Sequence, residues 1–208
     1  GLQGGDWEST ANKNPRLDAP ASQKAAEYRE WTSFPTRRGF DYFFGYVRHI
    51  DGHFHYPKED GREVWQNDRE IAADLDKCYT ADLWTAQAKK WIAEQTTARP
   101  DKPFFAYLAF DTPHAKLQNP PCPYPAGGGL RGGVQWTGRP HNMLNTATGA
   151  IDGYMFADYE KATWLNNGKP GSPEEPWPDV QKRYANDVRR IDFCVGDVLQ
   201  LLKDLNLE

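Results

Sequence analysis

The stretch from Phe104 to Leu117, FFAYLAFDTPHAKL, constrains the fold more than any other. Phe104 to Phe110 is almost wholly apolar, rich in aromatics and led by Pro103, which predicts a strand buried on both faces. The polar residues Asp111, Thr112, Pro113 and His114 follow at once. In open α/β sheets ligands bind outside the carboxyl ends of the strands, so a histidine at this point is the first candidate for chemistry.

Helical patterns flank this run. Tyr79 to Thr96 places Trp84, Ala88, Trp91 and Ile92 on one stripe, with Thr80 as a candidate cap and Asp82 in the first turn. Burying each large apolar side chain of such a stripe contributes about 1.5 to 3 kcal/mol. A helix followed by a buried strand is an α/β rhythm. From Val180 to Leu205 a second, longer pattern carries Tyr184, Val188, Ile191, Val195, Val198, Leu199, Leu202 and Leu205 on a stripe expected to face a core. Gly196 inside it predicts close packing against a neighbour.

The chain of 208 residues has 25 basic and 29 acidic residues without a block of like charge, which argues against nucleic acid as a partner. Its longest apolar run is the seven-residue strand, too short to span a membrane. Cys78, Cys122 and Cys194 are widely spaced, with neither a disulfide framework nor a cysteine zinc pattern. One domain over residues 1–208 accommodates all of this. Within it, residues 118–178 are rich in proline and glycine and are expected to form an inserted loop, a lid or substrate wall held by its aromatic residues. Nearer the amino terminus, Ala21 to Trp31 predicts a short helix, and Arg62 to Ile71 a small hairpin or decorated loop.

The remaining candidates lie between Thr32 and Pro57, where GFDYFFGY precedes His49, His53 and His55. If Asp51 to His55 is extended, Asp51, His53 and His55 share a face and could bind a metal. The alternative is a set of hydrogen-bonding or substrate-facing histidines. With no fourth ligand in view, no metal ligands are assigned.

Three blocks, GFDYFFGY (Gly39 to Tyr46), KPFFAYLAFDTPHAKLQNP (Lys102 to Pro120) and YANDVRRIDFCVGDVLQLLKDLNL (Tyr184 to Leu207), resemble in order and spacing the middle of the type I, formylglycine-dependent sulfatases. The resemblance implies an alkaline-phosphatase-like α/β fold, a mixed sheet flanked by helices, incomplete at both ends of this chain. It implies calcium and formylglycine as cofactors, a sulfated small molecule or glycan as partner, and an extracellular, periplasmic or lysosomal setting. His114 falls on the family histidine that contacts the sulfate ester and assists the leaving oxygen. His53, His49 and Lys116 are carried over as substrate-binding residues, with Lys116 standing where the family usually has proline. Arg48 and the aromatic residues between Trp136 and Tyr159 would help shape a sugar pocket. None of the cysteines lies in the family's C-x-P-x-R pattern, and Ser33 in SFPTR matches its serine form only as a decoy. The isolated chain is therefore expected to be inactive. The alternatives are a catalytically silent sulfate- or glycan-binding module and a phosphoester hydrolase of the same superfamily.

Overall fold

The computed structural model describes residues 34–114, 116–165, 170–171 and 173–207. The helix expected over Ala21 to Trp31, and Ser33, lie outside the described residues. Strand β1 (Phe44–Gly45) pairs antiparallel with β2 (Trp65–Gln66), which turns through Asn67 into β3 (Arg69–Glu70). The last two form the hairpin that the pattern allowed.

Helix α1 runs Thr80–Ala98. Its expected apolar stripe understates its burial, because Thr80 to Gln87 is buried without a break. Thr80 does not cap it: Tyr79 is the N-cap, and the Thr80 hydroxyl donates instead to Asp111 Oδ2 at 2.9 Å. Leu83, Trp84 and Ala86 join Val64, Ile71, Leu75, Val134, Met143 and Leu144 in the main core.

The stretch Phe104 to Phe110 is extended but forms no strand pairing among the described residues. Burial on both faces is accordingly not observed. Leu108 and Phe110 turn in against the core, whereas Phe105 and Tyr107 are 73% and 78% exposed. The physical reason is that strand burial comes from neighbours on both edges and both faces. Among the described residues one face is the better covered, in part by α1, whose Trp91 meets Phe104 edge-on at 5.6 Å, while Phe105 meets only the Phe40 ring at 6.2 Å.

Residues 118–178 hold the hairpin of β4 (Trp136–Arg139) with β5 (Asn142–Leu144), the single turn α2 (Ala157–Glu160), and β6 (Thr163–Trp164) paired with β7 (Glu175–Pro176). This segment is tied into the body of the molecule, with Val134 and Leu144 wholly buried in the core. Its glycine-rich turn wraps Asp197, whose carboxylate accepts the Gly129 and Val134 N–H groups at 2.7 and 2.8 Å. Gly133 has φ +67°, and a Cβ there would lie 2.0 Å from Asp197 Oδ2, so only glycine fits.

Helix α3 (Asp179–Asp204) closes the described chain and inverts the expectation for its faces. Its buried residues are Asn186, Asp187, Arg190, Cys194, Asp197 and Leu201. The apolar stripe stays substantially exposed, with Tyr184, Val188, Val195 and Leu199 all open to solvent. Nor is Gly196 packed, because among the described residues nothing would meet a Cβ there within 4 Å. The polar stripe wins because it meets complementary charge on α1. Arg190 forks onto Asp82 at 2.7 and 2.6 Å, both side chains being fully buried, and Lys89 reaches Asp197 at 2.6 Å. A bidentate guanidinium–carboxylate pair with no water access fixes the register of the two helices.

Candidate functional site

His114 sits in a tight turn at the end of the extended stretch. Its N–H bonds to Asp111 O at 3.0 Å, and the Leu117 N–H returns to His114 O at 3.3 Å. The side chain is exposed, where a ligand can reach it. Facing it is the His49–His53 segment, a 3-10 helix rather than an extended run. That winding brings His49 and His53, four residues apart, onto one side, with their Nε2 atoms 3.0 Å from each other. The His53 ring stacks on His114 with centroids 4.3 Å apart and an interplanar angle of 18°. Three imidazoles therefore form a row. Partial desolvation, and then the charge of His114 and His49, lower the His53 pKa. A bound anion would relieve this repulsion.

The 3-10 winding also separates the trio Asp51, His53 and His55. Asp51 is fully buried and held by Arg48 at 2.9 and 2.7 Å, His53 faces outward, and His55 is fully buried beneath the row. The face-sharing argument requires a period of two, and a 3-10 turn does not have it. Lys116 follows His114 on the same loop, but its ammonium is engaged by Asp60 at 2.8 Å and lies over the Phe54 ring at 4.5 Å. The structure thus brings His49, His53 and His114 together and directs Lys116 toward Asp60.

Beneath the row lies a buried polar seam that the sequence did not reveal. Asp111 accepts from Trp84 Nε1 at 2.6 Å, from the Thr80 hydroxyl at 2.9 Å and from His55 Nδ1 at 3.0 Å. His55 Nε2 lies 3.3 Å from the His114 carbonyl, and the His55 N–H donates to Gln118 Oε1 at 2.8 Å. On α3, Arg183 Nη1 donates to Leu117 O at 3.2 Å, holding the far side of the turn. Asp187, also on α3, is fully buried, accepting from Tyr79 OH at 3.2 Å through Oδ1 while Oδ2 has no hydrogen-bond partner among the described residues. Burial pushes its carboxyl up to about 7. The partners of Asp111 stand 27 to 56 residues away in sequence, beyond the reach of any local pattern.

The cofactors implied by resemblance find no seat here. Among the described residues no group of three or more His, Cys, Asp or Glu could hold a metal ion. Cys78 and Cys194 are wholly buried, with burial pushing the Cys194 thiol up to about 12, the opposite of an activated nucleophile. The described residues do not fit calcium or formylglycine, and no chemical step is assigned to either group on them.

Comparison with known proteins gives the family. The sulfatase family profile matches residues 20–208. The chain belongs to the sulfatase family. This sulfatase chain is 34% identical to mouse (Mus musculus) arylsulfatase J over 92 residues, 41% of the chain and 15% of that protein. It is 29% identical to the uncharacterized sulfatase YdeN of Escherichia coli (strain K12) over 123 residues, 56% of the chain and 20% of that protein. The matched regions thus span a fifth or less of these relatives. No solved structure matches it.

Proposed function

We propose that the protein to which this sulfatase chain contributes hydrolyses sulfate monoesters, with sulfated carbohydrates as the substrate class. His114 assists departure of the ester oxygen, and His53 and His49 hold sulfate oxygens beside it. The supporting observation is the stack of exposed His114 on half-buried His53 at 4.3 Å, with His49 behind it, in a chain matched by the sulfatase profile. Lys116 would join the substrate by exchanging Asp60 for a sulfate. Calcium and formylglycine, in this reading, are held outside the described residues.

The same reading accounts for the apolar surface. Phe105, Tyr107 and the exposed stripe of α3 are the positions that an alkaline-phosphatase-like sheet would cover. Expression of the longer protein with an aryl sulfate substrate tests the activity. Turnover is expected, and His114→Ala should lower it about 10²- to 10⁴-fold, the usual contribution of a positioned acid or base. The 208-residue chain alone should show none. Undiminished turnover by His114→Ala in the longer protein would refute the assignment. Binding of sulfated sugars without hydrolysis in that protein would instead favour a silent binding module.

A further inference from the structure

We propose that His55 is a positioning residue that, as a doubly protonated imidazolium, clamps the His114 turn to α1 through Asp111 and the His114 carbonyl. The proposal deepens the sulfatase reading and rests on it for its functional meaning. Both ring nitrogens of His55 face acceptors. Nδ1 is 3.0 Å from Asp111 Oδ2 and Nε2 is 3.3 Å from His114 O. A neutral imidazole has one N–H and would leave one of these contacts as an acceptor facing an acceptor, while the cation satisfies both.

Neither neighbour can reverse roles. A backbone carbonyl has no proton, and both Asp111 oxygens already accept, Oδ1 from Trp84 Nε1 and Oδ2 from the Thr80 hydroxyl. The Thr80 hydroxyl also lies 3.3 Å from His55 Nδ1 and is committed to Asp111. His55 is wholly buried, so a ring nitrogen left facing the wrong partner would be costly. Burial lowers its pKa, but the hydrogen bond and charge of Asp111, with a further contribution from Asp187 on α3, raise it above the usual histidine value. Tyr79, the N-cap of α1, also packs edge-on against the ring at 5.9 Å.

The consequence for the site is mechanical. His114 is exposed on a short turn, and its backbone carbonyl is anchored from beneath by His55 while its side chain lies against His53. Losing the Nε2 contact should free the turn and disperse the imidazole row. Losing only the Nδ1 contact should leave the turn in place.

Two substitutions separate these contacts, because the glutamine amide nitrogen falls near the position of imidazole Nε2 and that of asparagine near Nδ1. Histidine ¹⁵N NMR of the 208-residue chain, titrated with inorganic sulfate, reads the outcome. In the unsubstituted chain His55 should show both ring N–H groups at pH 7. His55→Gln should keep the His114 ring resonances and the sulfate response within about threefold, and His55→Asn should shift the former and weaken the latter about tenfold. A neutral His55 at pH 6, or His55→Asn leaving the His114 resonances unmoved, would overturn the proposal. If neither variant folds, the protonation state in the unsubstituted chain decides. Should sulfate leave every histidine unmoved in the unsubstituted chain, the anion-site reading fails, and the ring resonances of the two variants still decide the role of His55.

Discussion

His53 and His55 are two residues apart, both touch His114, and yet they lie in contrasting regions, one open to solvent and one buried beneath it. His53 faces outward between two other imidazoles, and its pKa is lowered. His55 is wholly buried between acceptors, and its pKa is raised. The row is the ligand site proposed above, and its removal is expected to leave stability nearly unchanged. The buried seam of His55, Asp111, Asp82, Arg190 and Asp187 holds α1, α3 and the His114 turn together. Residue type therefore says little about role until the surroundings are known, since acceptors favour the protonated imidazole in one setting and neighbouring imidazoles disfavour it in the other.

Cutting the seam where charge is deepest gives the sharpest test of this division. Arg190→Ala leaves Asp82 buried without its partner, and equilibrium urea unfolding should show a loss of about 3 to 5 kcal/mol. Replacing both members by apolar residues of similar size should restore most of it, because the pair's own desolvation cost disappears with it. Little recovery in the double variant would mean that the pair contributes more than mutual neutralisation. A smaller cut is Trp84→Phe, which keeps the ring and removes the Nε1 donor to Asp111. The expected loss is about 1 to 3 kcal/mol, with the His114 ring resonances shifting as the seam adjusts.

The seam should also make stability depend on pH in one direction. Asp187 has a carboxyl raised to about 7, so between the unfolded carboxylate pKa of about 4 and that value the folded state holds a proton that the unfolded state has released. Stability must therefore fall as pH rises through this window. His55, raised above its unfolded value, adds a fall in the same direction above about pH 6.5. Asp187→Asn should flatten the lower part of the profile in thermal melts from pH 4 to 8 and leave the upper part. An unchanged slope would remove Asp187 from the account.

The smallest effect belongs to the row. His53→Ala should change stability by no more than about 0.5 kcal/mol, as expected of a surface side chain, while weakening sulfate binding in calorimetry. A large loss of stability would erase the distinction between the two regions.

The candidate residues are legible in the sequence, because an apolar run that ends in DTPH marks a chain reversal carrying a histidine. His49, His53 and His114 were named as candidates, and the structure gathers them. The extended metal trio was not recovered, since the backbone winds into a 3-10 turn and sends Asp51 to Arg48 and His55 inward. Helix positions were legible as well, with α1 and α3 within two residues of their predicted bounds at every end. The orientation of α3 was not. Hydrophobic periodicity marks a stripe that seeks burial, but here the stripe carrying Asp187, Arg190 and Asp197 meets the other charged and polar groups of the core.

What the sequence determined by itself is therefore local: which segments wind, where the chain reverses, and which family pattern the blocks resemble. These follow from propensities and spacings that act over a few residues. Only the tertiary structure decided which histidine is buried, which face of α3 turns inward, and that Asp111 joins Trp84, Thr80 and His55. Those outcomes depend on desolvation, and whether water reaches a group is settled by segments far away in the chain.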